Sequence, residues 1–210
     1  MLHDDSLSLH FTIPWFNYCY PMMYHFDYLV FIGRFQPFHL AHMQTIEIAL
    51  QQSHKVIIAL GSAQSERSIK NPFLAQEREQ MILSNFSQED QQRIVFVHVV
   101  DVYDDQKWVK LVKDLVAANT PAQANIGLIG HFKDDSSYYL RLFPEWKLFE
   151  LDSLEGAISA TPVREAYYRG EIRDLVFPQG TVDFLQQFQK SPIYLKLQEK
   201  YQAGDGSNLE

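Results

Sequence analysis

The most constraining feature of this chain is a regular alternation of apolar runs with amphipathic segments. The run 28–33 is typical of a buried strand closed by Gly33, and the segment 40–52 carries apolar residues at helical spacing. Strands that alternate with helices build right-handed βαβ units around a parallel sheet. We therefore predict an α/β protein whose parallel sheet carries helices on both faces. The alternation continues with predicted strands at 55–61, 93–100, 125–130 and 146–151 and predicted helices at 77–86 and 106–118.

Composition and charge exclude several classes of function. The formal net charge of −8 argues against a protein that tracks nucleic-acid phosphates, because such binding needs a basic surface. Cys19 is the only cysteine, so neither an intrachain disulfide nor a thiolate zinc site can form. With 46% hydrophobic and 21% charged residues, the chain has the composition of an ordinary globular protein.

Residues 1–22 predict neither a signal peptide nor a membrane span. Asp4 and Asp5 stand where a signal peptide carries positive charge, and Pro14 and Pro21 interrupt the uncharged stretch that follows. We expect an irregular extension here, on a cytoplasmic protein without nucleic-acid or membrane partners. The sequence leaves a homo-oligomer open.

The loop after the first strand has the features of a phosphate-binding site. His39 and His42 are three residues apart, on one face of the opening turn of a helix. Free N–H groups and the helix dipole favour a phosphate at that turn, and Arg34 can add a forked donor. Taken alone, the histidines also fit two surface side chains, or a metal site that lacks an evident third ligand.

The loops after the later strands carry further polar candidates. Loop 61–73 is long and polar, as functional loops often are, although a merely solvated loop fits its composition equally well. Asp101, at the third strand end, suits either a ligand contact or a helix cap. Trp108 by itself is more typical of a core. His131 and Lys133 follow the fourth strand and place a donor and a cation by the same sheet edge, where a structural role is equally compatible.

The segment 158–164 predicts a helix start that can also hold an anion. Thr161 is a natural N-cap and Pro162 suits the first helical position. Arg164 then projects from the first turn, where it can share a phosphate with free N–H groups. A plain capped helix explains the same pattern.

Three segments together resemble one family. Gly-Arg-Phe-Gln-Pro-Phe-His at 33–39, with His42, is similar to the His-x-Gly-His or Thr-x-Gly-His loop of a nucleotidyltransferase superfamily. Gly-Ser-Ala-Gln and Asn-Pro-Phe within 61–73, and Ile-Ser-x-Thr-x-x-Arg at 158–164, resemble motifs of the same proteins. The branch they most resemble is the archaeal-type nicotinamide-mononucleotide (NMN) adenylyltransferases, including bacterial relatives fused to a Nudix hydrolase. Ala41 replaces the usual glycine, and we expect its methyl to crowd the adenosine of ATP.

The resemblance implies a domain plan. A Rossmann-like nucleotidyltransferase domain is expected over 23–175, and helices over 176–203 resemble the connector of the fused relatives. A disordered tail is expected over 204–210. No Nudix glutamate helix follows in this sequence, so we expect no pyrophosphohydrolase activity.

The resemblance also implies a reaction. ATP and NMN would be the substrates and NAD and pyrophosphate the products, with Mg²⁺ bound through the ATP phosphates and with no metal ligand from the protein. One rival keeps the fold and changes the acceptor to a flavin, pantetheine or choline phosphate. Another rival is a non-catalytic sensor of ATP or NAD.

Site residues follow from the resemblance position by position. Lys70 is favoured over Arg67 as the phosphate-binding cation of its loop, and Trp108 is expected to stack on the nicotinamide ring. The catalytic set comprises His39, His42, Lys70 and Arg164. The implied ATP-binding set comprises Gly33, Arg34, Phe35, Gln36, His39, His42, Gly130, Ser159, Thr161 and Arg164. The implied NMN-binding set comprises Lys70, Asn71, Phe73, Asp101, Trp108, His131 and Lys133.

Overall fold

Five parallel strands form one sheet. They are β1 (Phe26–Gly33), β2 (Ser53–Leu60), β3 (Ile94–His98), β4 (Ile126–Gly130) and β5 (Lys147–Glu150), in the order β3-β2-β1-β4-β5. The computed structural model describes residues 24–132, 135–152, 160–172 and 176–204, without the side chains of residues 136 and 160. The strand order turns around at β1, so a crevice opens beyond the carboxyl ends of β1 and β4, where sheets of this kind bind ligands.

Helices cover both faces of this sheet, as predicted. They are α1 (Leu40–Gln52), α2 (Ala75–Leu83), α3 (Gln88–Gln91), α4 (Asp105–Ala117), α5 (Ala160–Tyr168), α6 (Gln179–Gln189) and α7 (Pro192–Gln202), with a 3-10 helix at Asp135–Leu142. Two of these elements were not predicted, α3 and the 3-10 helix. Both are short and lack the apolar repeat that marks an amphipathic helix.

Each face of the sheet has its own core. One core joins α1, α2 and the carboxyl-terminal helices to residues such as Leu29, Ile58 and Phe73. The other joins α4 and the 3-10 helix to residues such as Val30 and Ile57. Because β1 and β2 send side chains into both cores, their buried runs show no alternation of polar and apolar residues. The α/β prediction is confirmed.

The carboxyl-terminal helices belong to the first core. Leu185, Phe188, Tyr194 and Leu197 of α6 and α7 are buried there. The Tyr194 hydroxyl donates to the Tyr167 carbonyl of α5 at 2.8 Å. We expected a connector over 176–203, and that role stays a prediction; α6 packs on α2 and α7 on α5, so their apolar residues extend the first core.

Two of the sequence expectations concern ends of the chain that the structure does not describe. The expected extension, 1–22, lies outside the described residues, as does the tail from 205 onward. In the part of the chain that is described, no helix has both the length and the apolarity needed to cross a bilayer.

Candidate active site

The two predicted histidines meet at the start of α1. His39 is the N-cap residue of this helix, and His42 lies in its first turn. Their rings stack with centroids 3.5 Å apart and an interplanar angle of 17°. His39 is buried, at 4% exposure. Two imidazoles therefore lie together where the N–H groups of a helix start favour negative charge.

Aromatic packing holds this histidine pair in place. The His42 ring lies 4.8 Å from the Phe35 ring and 5.9 Å from that of Phe38. Phe35 has a φ of 51°, and its ring occupies the space beside Gly33, where a Cβ would lie 2.9 Å from its Cζ. Gly33 is therefore required for close approach. The buried side chain of Phe35 supports the site and leaves only its backbone for the ATP contact that we predicted.

Arg164 contacts this loop, although it lies 128 positions later in the sequence. Its Nη1 donates to the Gln36 carbonyl at 3.0 Å, and its Nη2 donates to Thr161 Oγ1 at 3.2 Å. Burial lowers the pKa of Arg164, and the nearby positive charge of Arg34 lowers it further. Two guanidinium groups close enough to repel each other form a site that an anion would stabilise.

The start of α5 differs slightly from the prediction. The helix begins at Ala160, so Thr161 lies in the first turn and is not the N-cap. A threonine suits both the N-cap position and the first turn of a helix. The sequence therefore fixes the start of α5 only to within about one residue. Ser159, predicted to bind ATP, lies outside the described residues.

The first two loops are joined through Gln36. Its amide donates to the Phe73 carbonyl at 2.7 Å and accepts from the Phe73 N–H at 3.0 Å. The Phe73 ring packs against Tyr167, Phe184 and Phe188. We predicted nucleotide contacts for both residues, and these contacts stay a prediction. The Gln36 amide is committed to a backbone and the Phe73 ring to the core.

The two cations of the second loop, Arg67 and Lys70, lie in different surroundings. Arg67 forms a bidentate pair with Glu77, with N–O distances of 2.7 and 2.6 Å, and its guanidinium carbon lies 5.4 Å from the Phe188 ring. Lys70 lines a cavity together with Asn71, whose buried Oδ1 has no hydrogen-bond partner. Lys70 therefore lies where a ligand could reach it, and the preference for Lys70 over Arg67 stays a prediction.

Asp101 ties the second loop to the end of β3. It accepts hydrogen bonds from Ser62 Oγ at 2.9 Å and Gln64 Nε2 at 3.3 Å. Its own N–H donates to Gln64 Oε1 at 3.0 Å. Asp104, and not Asp101, caps α4 by accepting from the Lys107 N–H. The helix-cap alternative for Asp101 is therefore excluded.

A cavity of about 560 Å³ opens at the carboxyl edge of the sheet. Trp108 borders it, with its ring edge-on to Tyr139 at 6.0 Å and to Phe143 at 5.9 Å. Trp108 thus has one side in the core and another toward the cavity. We call this space the strand-end cavity; its lining residues are Arg34, Ser62, Ser65, Lys70, Asn71, Asp101, Val102, Tyr103, Asp105, Trp108, Tyr138 and Tyr139.

The fourth strand end is only partly described. Gly130 ends β4, where a Cβ would meet the Leu140 side chain at 3.0 Å, so its role is close packing. His131 is partly buried beside it, and Lys133 lies outside the described residues. Gly130 and His131 do not line the strand-end cavity.

Sequence reasoning assigned no role to three residues that shape this site. Tyr138 donates to Asp105 Oδ1 at 2.9 Å, and the Tyr139 hydroxyl donates to the Ile32 carbonyl at 3.3 Å. Burial raises the pKa of Tyr139 to about 12, which keeps this hydroxyl a donor. Arg78 is buried on α2, at 1% exposure. An arginine at a core-facing position of a helix was the signal that could have identified it.

Within the described ranges, no group of three or more His, Cys, Asp or Glu side chains is arranged to hold a metal ion.

Comparison with known proteins agrees with this geometry. The family described as Cytidylyltransferase-like matches residues 30–166. The nicotinamide/nicotinic acid mononucleotide adenylyltransferase of Acinetobacter baylyi is 67% identical over 89% of this chain and all of that protein. The nicotinamide-nucleotide adenylyltransferase of Thermoplasma volcanium is 29% identical over 74% of this chain and 84% of that protein.

A solved structure extends the comparison. It is the bifunctional NMN adenylyltransferase/ADP ribose pyrophosphatase of Francisella tularensis, with a TM-score of 0.77 and 36% identity over 85% of this chain. The chain spans 53% of that longer protein. The fold, the loop motifs and these relatives confirm the resemblance. This chain belongs to the cytidylyltransferase-like family of nucleotidyltransferases and, within it, to the nicotinamide/nicotinic acid mononucleotide adenylyltransferases.

Proposed function

We propose that this enzyme transfers the AMP group of ATP to NMN. A 5′-phosphate oxygen of NMN attacks the α-phosphorus in line, and a new P–O bond forms as the bond to the bridging α–β oxygen breaks. That electron pair leaves with pyrophosphate, and the other product is NAD. No nucleophilic side chain takes part, because transfer of this kind depends on positioning and charge stabilisation.

The hydrogen bond from Arg164 to the Gln36 carbonyl carries this proposal. It brings a guanidinium from α5 to the loop that also holds the stacked pair His39 and His42. We assign the two imidazoles as donors to the α-phosphate, where negative charge grows in the transition state. Arg164 and Arg34 then bind the β- and γ-phosphates, and Ser159 stays a prediction for the same group.

The strand-end cavity supplies the mononucleotide side. Lys70 and Arg34 line it, and Lys70 can neutralise the NMN phosphate. Trp108 offers a ring face to the nicotinamide pyridinium, which a cation–π contact favours. The carboxylates of Asp101 and Asp105 line the same cavity and complement the positive charge of that ring. The Acinetobacter baylyi relative is named for both mononucleotides, so nicotinic acid mononucleotide is the second acceptor to assay.

A divalent cation completes the substrate complex. The Francisella tularensis structure holds AMP and a manganese ion. Because the described residues offer no cluster of three metal ligands, we propose that Mg²⁺ enters with ATP and is coordinated mainly by its phosphates. When bound, it would neutralise charge on the departing pyrophosphate.

Pyrophosphate release with ATP, Mg²⁺ and NMN tests the proposal. We expect release that requires NMN and yields NAD in equal amount. Parallel reactions should contain nicotinic acid mononucleotide, flavin mononucleotide, phosphopantetheine or choline phosphate, each with ATP and with CTP. Release with flavin mononucleotide, phosphopantetheine or choline phosphate, and none with NMN or nicotinic acid mononucleotide, would contradict the proposal. Nucleotide binding in calorimetry without turnover would identify a sensor instead.

A further inference from the structure

Arg78 makes an unusual set of contacts for a buried charge. Its Nη1 donates to the carbonyls of Arg34 and Gly61, each at 2.8 Å, and its Nη2 donates to the Ser62 carbonyl at 3.3 Å. Burial lowers the pKa of Arg78 to about 10, so the group is still charged at neutral pH. A buried charge is stabilised by multiple hydrogen bonds, and here these acceptors lie at the ends of two different strands.

These contacts coincide with the two left-handed residues of the described backbone. Among described residues other than glycine, only Phe35 and Ser62 have positive φ values, 51° and 50°. The left-handed backbone conformation costs free energy in any residue that has a side chain. It persists only when the surrounding structure holds it in place. Arg78 binds the carbonyl that precedes each of them, at Arg34 and at Gly61.

Each left-handed residue serves a different side of the site. Phe35 packs against His42, the predicted donor to the α-phosphate. Ser62 donates to Asp101, and both line the strand-end cavity. The separation of the two loops therefore sets how far the ATP side lies from the NMN side. Arg78 is bonded to both loops.

We propose that Arg78 is a positioning residue that sets the spacing between the two substrate loops, so that its loss lowers turnover in addition to stability. The inference rests on the proposed function, because turnover is measured on that reaction. Arg78 itself is covered by the loops and touches neither substrate.

The chain supplies a matched control in Arg93. Its guanidinium also binds three carbonyls, of Leu50 at 2.5 Å, Ser53 at 2.8 Å and His54 at 3.1 Å. Those acceptors lie in the last turn of α1 and at the amino-terminal end of β2, at the opposite end of the sheet from the site. A purely structural role for Arg78 predicts that its substitution, like that of Arg93, lowers stability and leaves kcat and KM unchanged.

The experiment compares Arg78→Met and Arg78→Lys with Arg93→Met and Arg93→Lys. We expect all four variants to lose thermal stability. Below their unfolding temperatures, only the Arg78 variants should lose kcat; Arg78→Met should lose about 10²-fold, the size of effect that a small misplacement of reacting groups produces. Arg78→Lys should lose less, because an ammonium keeps the charge and reaches part of the acceptor set. Equal kcat and KM values in the two Met variants would overturn the proposal.

Amide hydrogen exchange provides a readout that does not need the reaction. The Gly61 N–H donates to the Gly33 carbonyl at 2.9 Å, and the Ala63 N–H donates to the Val99 carbonyl at 3.1 Å. Both amides should exchange faster in the Arg78 variants and stay protected in the Arg93 variants. Unchanged protection in Arg78→Lys overturns the proposal even if Arg78→Met does not fold. A wild-type protein without adenylyltransfer would refute the proposed function alone, since the exchange result still decides the role of Arg78.

Discussion

The Arg164 guanidinium donates to the main-chain carbonyl of Gln36 at 3.0 Å across 128 positions of sequence. This contact joins the helix start of α5 to the loop that precedes α1. Both segments carry groups suited to phosphate, and neither encloses a triphosphate alone. The contact therefore accounts for why the motifs at 33–39 and 158–164 belong to one site.

Replacing Arg164 should damage both binding and turnover. Arg164→Lys keeps the charge but cannot make the forked contact to Gln36 and Thr161. Hydrogen bonds to charged groups contribute about 1.5–3 kcal/mol, so we expect kcat/KM for ATP to fall by about 10- to 10²-fold. Steady-state kinetics at varied ATP measures this. Arg169→Lys is the control, because Arg169 is exposed and pairs with Glu171. Equal kinetics in the two variants would refute the assignment.

His42→Ala should lower kcat, because a donor to the developing charge is lost. Removal of one such donor costs about 10²-fold or more in related transition states. Initial rates of pyrophosphate release measure the effect, and circular dichroism checks that the helix is intact. His54→Ala serves as the control, since His54 contacts the Tyr24 ring at the other end of the sheet. Wild-type turnover in His42→Ala would eliminate His42 from the mechanism.

Lys70 should contribute to NMN binding, and Arg67 should contribute to stability. Lys70→Ala removes a cation from the strand-end cavity, so the KM for NMN should rise while the unfolding temperature changes little. Arg67→Ala breaks the bidentate pair with Glu77 and the contact with Phe188, so the unfolding temperature should fall more than the affinity for NMN. Thermal denaturation and NMN titration of both variants provide the comparison. The reverse pattern would reassign the phosphate contact to Arg67.

Trp108→Leu should weaken NMN binding more than ATP binding. A cation–π contact contributes about 0.5–2 kcal/mol, so the dissociation constant for NMN should rise by about 2- to 30-fold. Calorimetry with each nucleotide separates the two effects. Trp146→Leu is a matched control, because Trp146 stacks on Phe143 at 4.8 Å and does not line the strand-end cavity. If both nucleotides bind Trp108→Leu as they bind the wild type, the stacking role is refuted.

Chelation of divalent cations should abolish turnover without unfolding the protein. The proposed metal is held by ATP phosphates, and the described residues contain no cluster of three ligands. Addition of EDTA should therefore stop pyrophosphate release while the unfolding temperature of the nucleotide-free protein stays the same. Excess Mg²⁺ should restore the rate. A large fall in the unfolding temperature would reveal a structural metal that this mechanism lacks.

Much of the fold could be predicted because the pattern is local. The apolar runs and the helical periodicity predicted all five strands, and α1 was placed with its observed bounds, Leu40–Gln52. The short α3 has no such repeat, and it was missed. The helices over 176–203 were expected from the family resemblance, and the surface that α6 covers could not be predicted, because an apolar helix face does not specify its partner.

The candidate site, like the fold, was predictable from the sequence only in its local features. The sequence by itself indicated residue types suited to phosphate, namely the pair His39 and His42 and Arg164, because spacing along one helix turn is a local property. The family resemblance added Lys70. Only the tertiary structure decided that the Gln36 amide binds the Phe73 backbone, that the Phe73 ring packs in the core and that Arg78 joins the two loops. Those roles depend on which distant carbonyls and rings come within a few ångströms. A pattern along the chain does not predict these long-range contacts, because they form only when the sheet brings the segments together.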